Sequence, residues 1–441
     1  MKKIFLSLVT ILFAATCFCQ TTLVNPRTDM KLLRRFQDGK LGMFIHWMAC
    51  FTPATGDSWE IGRKTPKRVA ASITYAWDPE KFDAKAIVDF AVRAGCKYIT
   101  VISKHHDGFC IWDSKYTSFD LERVKFKKDI LAELGREAHR RGLLFGIYYS
   151  ILDINQMGWD KMPFEISTQP EPTGGKAAFV QYIHDQVKEL LTRYSPDIMW
   201  FDGYWLKQYW TNEDGRNLYE DIKKTKPNTL SRGLSSTRND KDEDIFVPDG
   251  SAGDYLCIEA KTSEGPSYPW EACTSVSYPV YAYDPSAPLK SKKDLITMFD
   301  KEICGNGNFL LNIGPDRDGT LPKALTDRFL EVSDWVLKNK QAIYNTSGGP
   351  FKQGTWGGST YKGNHIYLHL RQPDQEITLN ELKGYTVLSA KDAATGESLK
   401  LTRTATGYLI QAPRVGDDNI IAVIALQLDK PFVFSGWLSL N

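Results

Sequence analysis

Residues 130–150 read ILAELGREAHRRGLLFGIYYS, and they hold one complete helix-to-strand unit. Ile130, Leu134 and Ala138 recur at helical spacing, Gly142 ends the helix, and residues 143–148 form an apolar run suited to a buried strand. The unit repeats on both sides. Upstream, Ile87, Phe90, Ala91 and Ala94 make a helical stripe that Gly95 ends before a strand over 98–103. Downstream, Val180, Ile183, Val187, Leu190 and Leu191 run to a Ser195-Pro196 break, and a strand follows over 198–201. A first strand is expected over 42–47, a helix over 295–302, a strand over 309–313 and a long amphipathic helix over 324–342. Repeated βα units imply a parallel sheet with helices outside. Residues 20–346 therefore read as an α/β domain, a (β/α)8-like TIM barrel rather than an open sheet.

Gly348-Gly349-Pro350 marks a boundary, after which the period changes to two. Ile366, Leu368 and Leu370 share one face, and His365, Tyr367 and His369 the other. Short strands punctuated by Gly and Asp continue, so residues 350–441 are expected to form a C-terminal β-sandwich, packed on the barrel as a lid.

The chain has 441 residues, of which 42% are hydrophobic and 24% charged, which excludes a disordered tail or a disulfide-held miniprotein. Lys and Arg total 55 against 53 Asp and Glu, and the signs balance once Lys2 and Lys3 are set aside. That balance argues against a nucleic-acid partner. Residues 1–19 read as a secretory leader, with Lys2-Lys3 before an uncharged apolar run too short to span a membrane. Cleavage is expected before Gln20, giving an exported, periplasmic protein without a membrane span. Cys17 and Cys19 lack the neighbours of a lipid-anchor site, so an anchored form is the weaker reading. The remaining cysteines are scattered without a CxxC pair and read as buried thiols. No signal specifies an oligomeric state.

The chemistry-bearing residues cluster at strand ends. His46, His105, His106, Tyr148 and Asp202 sit at or just past the C-terminal ends of expected strands, the rim on which barrel enzymes build their sites. Asp202 follows the apolar run Ile198-Met199-Trp200-Phe201, with Trp200, Tyr204 and Trp205 as aromatic surface for a sugar ring. In His105-His106-Asp107-Gly108 both imidazoles can face one pocket if the chain bends at Gly108. Metal-ligand spacing is absent there, so hydroxyl binding is the better reading. Glycoside chemistry needs a second acid, for which Glu259, Glu264 and Glu271 are open candidates; Trp270 could desolvate Glu271. Gly305-Asn306-Gly307-Asn308 lacks the Lys-Ser/Thr of a phosphate loop and reads as a helix-to-strand turn.

Taken together these residues resemble the family 29 glycoside hydrolases, the retaining alpha-L-fucosidases. The matching stretches are Gly42-Met43-Phe44-Ile45-His46-Trp47, Lys104-His105-His106-Asp107-Gly108-Phe109, Phe145-Gly146-Ile147-Tyr148-Tyr149-Ser150, Trp200-Phe201-Asp202-Gly203, Trp270-Glu271-Ala272-Cys273-Thr274-Ser275 and Asn308-Phe309-Leu310-Leu311-Asn312-Ile313-Gly314-Pro315. The resemblance implies release of terminal alpha-L-fucose from a fucosylated oligosaccharide or glycoconjugate, without cofactor or metal. It implies Asp202 as nucleophile and Glu271 as acid/base, with His46, His105, His106, Tyr148, Trp200, Trp59 and Arg232 binding the sugar. Two departures lie near the pocket and bear on linkage and aglycone preference. Tyr281-Ala282-Tyr283 stands where many members have Trp-Gly-Tyr, and Ser58-Trp59-Glu60 where many have Glu-Trp-Tyr. The rival readings are a metal-assisted hydrolase built on His105, His106 and Asp107, and a non-catalytic or altered-specificity glycan-binding relative.

Overall fold

The structure, a computed structural model, describes residues 24–160, 171–172, 174–205, 208–234, 236–238, 244–246, 252–259, 268–372, 376–413, 420–438 and 440. The leader over residues 1–19, including Cys17 and Cys19, and the candidate Glu264 lie outside them.

Eight parallel strands form one curved sheet: β1 (Leu41–Ile45), β2 (Tyr98–Lys104), β3 (Leu144–Ser150), β4 (Ile198–Asp202), β5 (Leu230–Ser231), β6 (Leu256–Glu259), β7 (Trp270–Ser275) and β8 (Asn308–Ile313). They hydrogen-bond in the order β5-β4-β3-β2-β1-β8-β7-β6. The two edges meet where Asp254 N–H donates to the Ser231 carbonyl (2.8 Å) and Gly233 N–H to the Tyr255 carbonyl (2.9 Å). The sheet is thus a closed TIM barrel, and β4 and β8 stand across it from each other.

Side chains alternate inward and outward along each strand. Phe44, Tyr98, Ile102, Leu144, Tyr148, Ile198, Trp200, Cys257, Cys273 and Leu310 fill the interior. Gly42 makes room for them, since a Cβ there would lie 2.3 Å from the Tyr98 ring. The outward residues, such as Met43, Val101, Ile147 and Met199, pack under the helices. Helix α1 (Met30–Gly39), capped by the Asp29 carboxylate, closes the N-terminal end by setting Leu32, Leu33 and Phe36 under the barrel.

Between β1 and β2 run α2 (Lys67–Tyr75) and α3 (Ala84–Arg93); α4 (Ile130–Arg140), α5 (Gly175–Tyr194) and α6 (Asn212–Thr225) precede β3, β4 and β5. Helix α7 (Lys292–Cys304) leads into β8. The Gly305–Asn308 segment is the expected helix-to-strand turn, with Asn306 at φ +66°. The long helix expected over 324–342 divides at Asn339 into α8 (Lys323–Lys338) and α9 (Lys340–Ile343). The Asn339 side chain donates to the Trp335 carbonyl, taking up an acceptor at the end of α8.

The C-terminal segment pairs two antiparallel sheets. One holds β9 (Ser347–Gly348), β10 (Gly357–Lys362), β11 (His365–Leu370), β13 (Val387–Asp392) and β16 (Ala422–Leu428). The other holds β12 (Glu376–Asn380), β14 (Leu401–Arg403) and β15 (Gly407–Gln411). Their inner faces bury Ile366, Leu368, Leu370, Leu379, Ile410 and Ile424. On the other face of β11, Tyr367 and His369 are also buried, because that face meets the barrel. His369 is fully enclosed, with Nδ1 2.7 Å from Asp300 Oδ1 on α7, and Arg371 Nε donates to Asp300 Oδ2 at 2.8 Å. Trp335 of α8 donates to the Ile421 carbonyl beside them.

Burial pushes the Asp300 carboxyl up, but His369 and Arg371 together outweigh it and hold the group below its ordinary value. Asp300→Ala would leave two buried donors without their acceptor, and it should lower stability by about 3–5 kcal/mol in urea unfolding. Because the folded-state pKa is depressed, the Asp300 contribution is present at neutral pH and disappears as pH falls through and below the usual carboxylate range. The variant should therefore lose the acid limb of the stability profile that the parent shows.

Candidate active site

Asp202 is the last residue of β4, and its side chain is 23% exposed at the C-terminal rim. Its Oδ2 accepts the Tyr148 hydroxyl at 2.8 Å, and its Oδ1 accepts Gly203 N–H at 2.8 Å. Gly203 has φ +72°, and a Cβ there would lie 2.5 Å from the Leu152 nitrogen. Only glycine lets the chain turn away tightly enough to leave the carboxylate facing the pocket. Burial and then the Asp202 charge push the Tyr148 phenol well above its ordinary value, so it remains a neutral donor.

Three imidazoles line the same rim, each held at Nδ1 by a buried partner. Asn312 of β8 donates through Nδ2 to the Tyr281 carbonyl (2.7 Å) and to Ser275 Oγ (2.9 Å). Its amide oxygen must then face His46 Nδ1, 2.7 Å away, which makes that nitrogen the N–H donor. Ser150 donates its hydroxyl to the Leu152 carbonyl (2.6 Å), so its oxygen accepts from His106 Nδ1 at 2.7 Å. Ser58 Oγ is hydrogen-bonded to His105 Nδ1. The network thus leaves Nε2 of His46 and of His106 as acceptors. His106 Nε2 lies 3.7 Å from Asp202 Oδ2, so two acceptors sit side by side where a donor such as a sugar hydroxyl satisfies both.

All three imidazoles are neutral. Burial, followed by the charge of His105, drives His46 well below its ordinary value; burial and then His106 do the same to His105. Burial, His46 and Lys104 bring His106 to about 3. Gly108, at φ +88°, turns the chain after His105 and His106, as the sequence implied, since a Cβ there would lie 2.2 Å from an Asp153 carboxylate oxygen.

Aromatic rings complete the walls. Trp200 stacks on Tyr148 (centroids 5.3 Å apart, 24°), and His105 stacks on the same phenol at 5.6 Å and 10°. Trp59, in a short turn capped by Asp57, packs edge-on against His106 at 5.0 Å and parallel to Trp205 at 6.2 Å. Arg232 lies behind Trp200, its guanidinium 4.3 Å from the indole centroid. It donates to the Phe201 carbonyl of β4 and, at 3.4 Å, to the Cys257 carbonyl of β6. It thereby clasps the two strands that flank the short β5.

Glu271, the acid/base that the resemblance implied, lies below the rim and not on it. It is the second residue of β7, four residues before Ser275, which at strand rise puts it roughly 13 Å below the rim. It is fully buried, and its oxygens accept the Tyr98 hydroxyl (2.9 Å) and the Trp200 indole N–H (2.8 Å). Burial raises its carboxyl to about 7 against the pull of those donors. Glu271 pins Trp200 from beneath and has no surface toward a leaving group. The carboxylate at the rim of the neighbouring strand is Glu259, the last residue of β6, which is exposed. Its charge acts on the phenols of Tyr148 and Tyr281, so it faces the same pocket.

The metal rival is not supported by the placement of its residues. Among the described residues the grouping that could hold an ion is Asp300, Cys304 and His369, at the barrel–sandwich contact, and not His105, His106 and Asp107. Asp300 already serves His369 and Arg371 there. The six described cysteines are free and buried.

A rim carboxylate ringed by neutral acceptors and flat aromatic faces defines a sugar-processing TIM-barrel hydrolase. Residues 19–341 match the family profile described as Alpha-L-fucosidase. The chain belongs to the alpha-L-fucosidase family. The alpha-L-fucosidase of Dictyostelium discoideum is 25% identical, the match covering 87% of this chain and 89% of that protein. Alpha-L-fucosidase isoenzyme 1 from Paenibacillus thiaminolyticus superposes with a TM-score of 0.77 at 27% identity, over 91% of this chain and 99% of that one. A family 29 alpha-L-fucosidase from Bacteroides thetaiotaomicron superposes with a TM-score of 0.78 at 25% identity, over 92% and 96%.

The hydrogen-bond network sets a spectroscopic expectation. Imidazole nitrogen NMR should show His46 and His106 as Nδ1–H tautomers, with no titration of either, or of His105, between about pH 5 and pH 8. In Asn312→Leu the His46 signal should lose its fixed tautomer.

Proposed function

We propose that the chain releases terminal alpha-L-fucose from fucosylated glycans with retention of configuration, using Asp202 as nucleophile and Glu259 as acid/base. The observation that carries this reading is the position of Asp202: a carboxylate at a barrel strand's C-terminal end, oriented by Tyr148 and Gly203 N–H and faced by neutral imidazoles. In the first step an Asp202 oxygen bonds to the anomeric carbon while the bond to the leaving oxygen breaks. Glu259 gives that oxygen its proton. In the second step Glu259 takes a proton from water, whose oxygen displaces Asp202 from the anomeric carbon. Each carboxylate ends as it began.

The remaining residues serve binding. Nε2 of His46 and of His106 accept sugar hydroxyls, and His105 stands between them. Trp200 and Tyr148 offer a flat face to the apolar side of the pyranose, and Trp59 borders the mouth. Arg232 and Glu271 hold Trp200 in place from behind and below. The leader over residues 1–19, basic and then apolar, supports export to the periplasm for the mature enzyme.

Substitution separates the roles. Asp202→Asn should lower turnover of an aryl fucoside by a factor on the order of 10⁴ or more. Glu259→Gln should slow a fucoside with a poor leaving group by about 10²–10⁴. It should spare a good leaving group in the first step and be rescued by azide as an outside nucleophile. Glu271→Gln should show no azide rescue. Rescue of Glu271→Gln in place of Glu259→Gln would return the acid/base role to Glu271, and binding of a fucosylated glycan without sugar release by the parent would make the protein a lectin-like relative.

A further inference from the structure

At the opposite end of the barrel from Asp202, by the N-terminal ends of β1, β2 and β3, lies an open cleft of about 390 Å³. Helix α1 forms one wall. Lys31, Arg34, Arg35 and Asp38 recur on it at helical spacing and line the cleft, while Leu32, Leu33 and Phe36 turn the other way into the barrel. Lys97, the residue before β2, lines it from the barrel side, with Gly142 before β3 and Tyr344 after α9. The Lys97 main chain is fixed in the sheet: its N–H donates to the Leu41 carbonyl at 2.9 Å, and its carbonyl accepts Leu144 N–H at 3.0 Å. Its ammonium lies 4.8 Å from the centre of the Tyr344 ring, whose hydroxyl donates to the Gly95 carbonyl at 2.7 Å. Lys31, Arg34, Arg35 and Lys97 are all exposed, so four cations meet solvent in one cleft against a single lining acid, Asp38.

Local structure gains nothing from this placement. Lys31 stands three and four positions before Arg34 and Arg35, the spacings at which like charges on a helix repel. Helix α1 carries Lys31 in its first turn and Asp38 in its last, the reverse of what the helix dipole favours. Exposed lysines elsewhere sit against carboxylates: Lys81, Lys85, Lys125 and Lys323 each lie 2.5–2.6 Å from an Asp. Among the described residues Lys31 and Lys97 have no carboxylate within ion-pair distance. The acceptors of the cleft are already engaged, since Asp38 accepts from Arg34 Nε at 3.2 Å and the Gly142 carbonyl accepts from Arg35 at 2.9 Å. What the cleft offers a ligand is therefore chiefly N–H donors and positive charge.

We propose that this cleft is a second glycan site, which binds a saccharide carrying sulfate or phosphate esters. Ester oxyanions accept charge-assisted hydrogen bonds from ammonium and guanidinium groups, and they supply the counter-charge that Lys31 and Lys97 lack. The volume falls in the range of roughly 300–1,000 Å³ in which small ligands are held. The chain as a whole is nearly neutral, with 55 basic and 53 acidic residues, so the excess charge is local and suits one or two esters rather than a long polyanion or a charged lipid surface. The seven residues of β2 put the cleft roughly 20 Å along the strand from the rim, so it cannot hold the sugar that Asp202 attacks. Neutral imidazoles at one end of the barrel then take an uncharged fucosyl group, and cations at the other take charged esters of a glycan. The ester part of this inference rests on the cleft alone; the saccharide part rests on the fucosidase reading.

Titration calorimetry with lactose bearing two sulfate esters, and with its phosphate counterpart, tests this without involving fucose. At least one of the two should bind, and plain lactose should not. Lys31→Glu and Lys97→Gln, both at exposed positions, should each weaken that binding about tenfold, whereas Lys81→Gln on another face should leave it unchanged. All three variants should keep the parent's turnover of an aryl fucoside, which also shows that they fold. Binding of neither ester overturns the site, and so does an equal loss in Lys81→Gln, which would mark general surface attraction. Inorganic sulfate binding as tightly as the disaccharide overturns the saccharide, and so does binding of phosphatidylglycerol vesicles without binding of either disaccharide. A parent that fails to turn over an aryl fucoside overturns the fucosidase reading instead, and the ester titration stands apart from that result.

Discussion

A strand in a closed barrel presents to the pocket at its top only the last one or two of its inward-facing side chains, as Trp200 and Asp202 do on β4. The earlier inward positions are stacked beneath and sealed by neighbouring strands. That constraint orders the whole site. It puts Asp202 at the end of β4 and Glu259 at the end of β6 in the pocket, and it buries Glu271 near the start of β7. The same alternation turns Tyr98 and Trp200 into the interior, where Glu271 accepts from both. A carboxyl in that layer is a structural group, its acidity set by burial.

The second governing effect is desolvation. Three imidazoles packed within a few ångströms of one another and sealed from water cannot all carry charge, and burial drives each below its ordinary value. Neutral rings keep one lone pair each, and the Nδ1 partners decide where that lone pair points. Asn312, Ser150 and Ser58 therefore matter as much as the rings they hold. None of the three was read in the sequence as a partner of an imidazole, although Ser58 stood in a noted departure and Ser150 in a quoted motif. Asn312 lies in a quoted motif, but its neighbours are apolar, and nothing local says that its amide spans Tyr281 and His46.

The contact between barrel and sandwich shows what period-two patterning leaves open. His365, Tyr367 and His369 alternate with aliphatic residues, which gives them a common face without saying what it meets, and Tyr367 and His369 are buried against the barrel. Polar residues on a strand mark a solvent face unless another layer supplies their partners, and Asp300 on α7, some seventy positions earlier in the chain, supplies them here. The split of α8 from α9 at Asn339 is similar: the apolar stripe is continuous in sequence, and the break comes from the side chain turning back onto Trp335.

Much of the protein was legible in one dimension. Repeated helix stripes, glycine stops and apolar runs set the βα alternation, and local sterics fix those features without reference to the rest of the chain. Asp202 was found because an apolar run followed by a carboxylate is a local pattern. The run Leu256-Cys257-Ile258 before Glu259 has the same pattern, but β6 is short and follows no helix among the described residues, so it did not declare itself as a strand. Without its register the residues left Glu259, Glu264 and Glu271 open, and the matching motif favoured Glu271. Tertiary structure alone decided how deep each carboxylate lies, because depth in a barrel depends on how neighbouring strands are staggered, and stagger is a property of pairs of strands and not of either sequence.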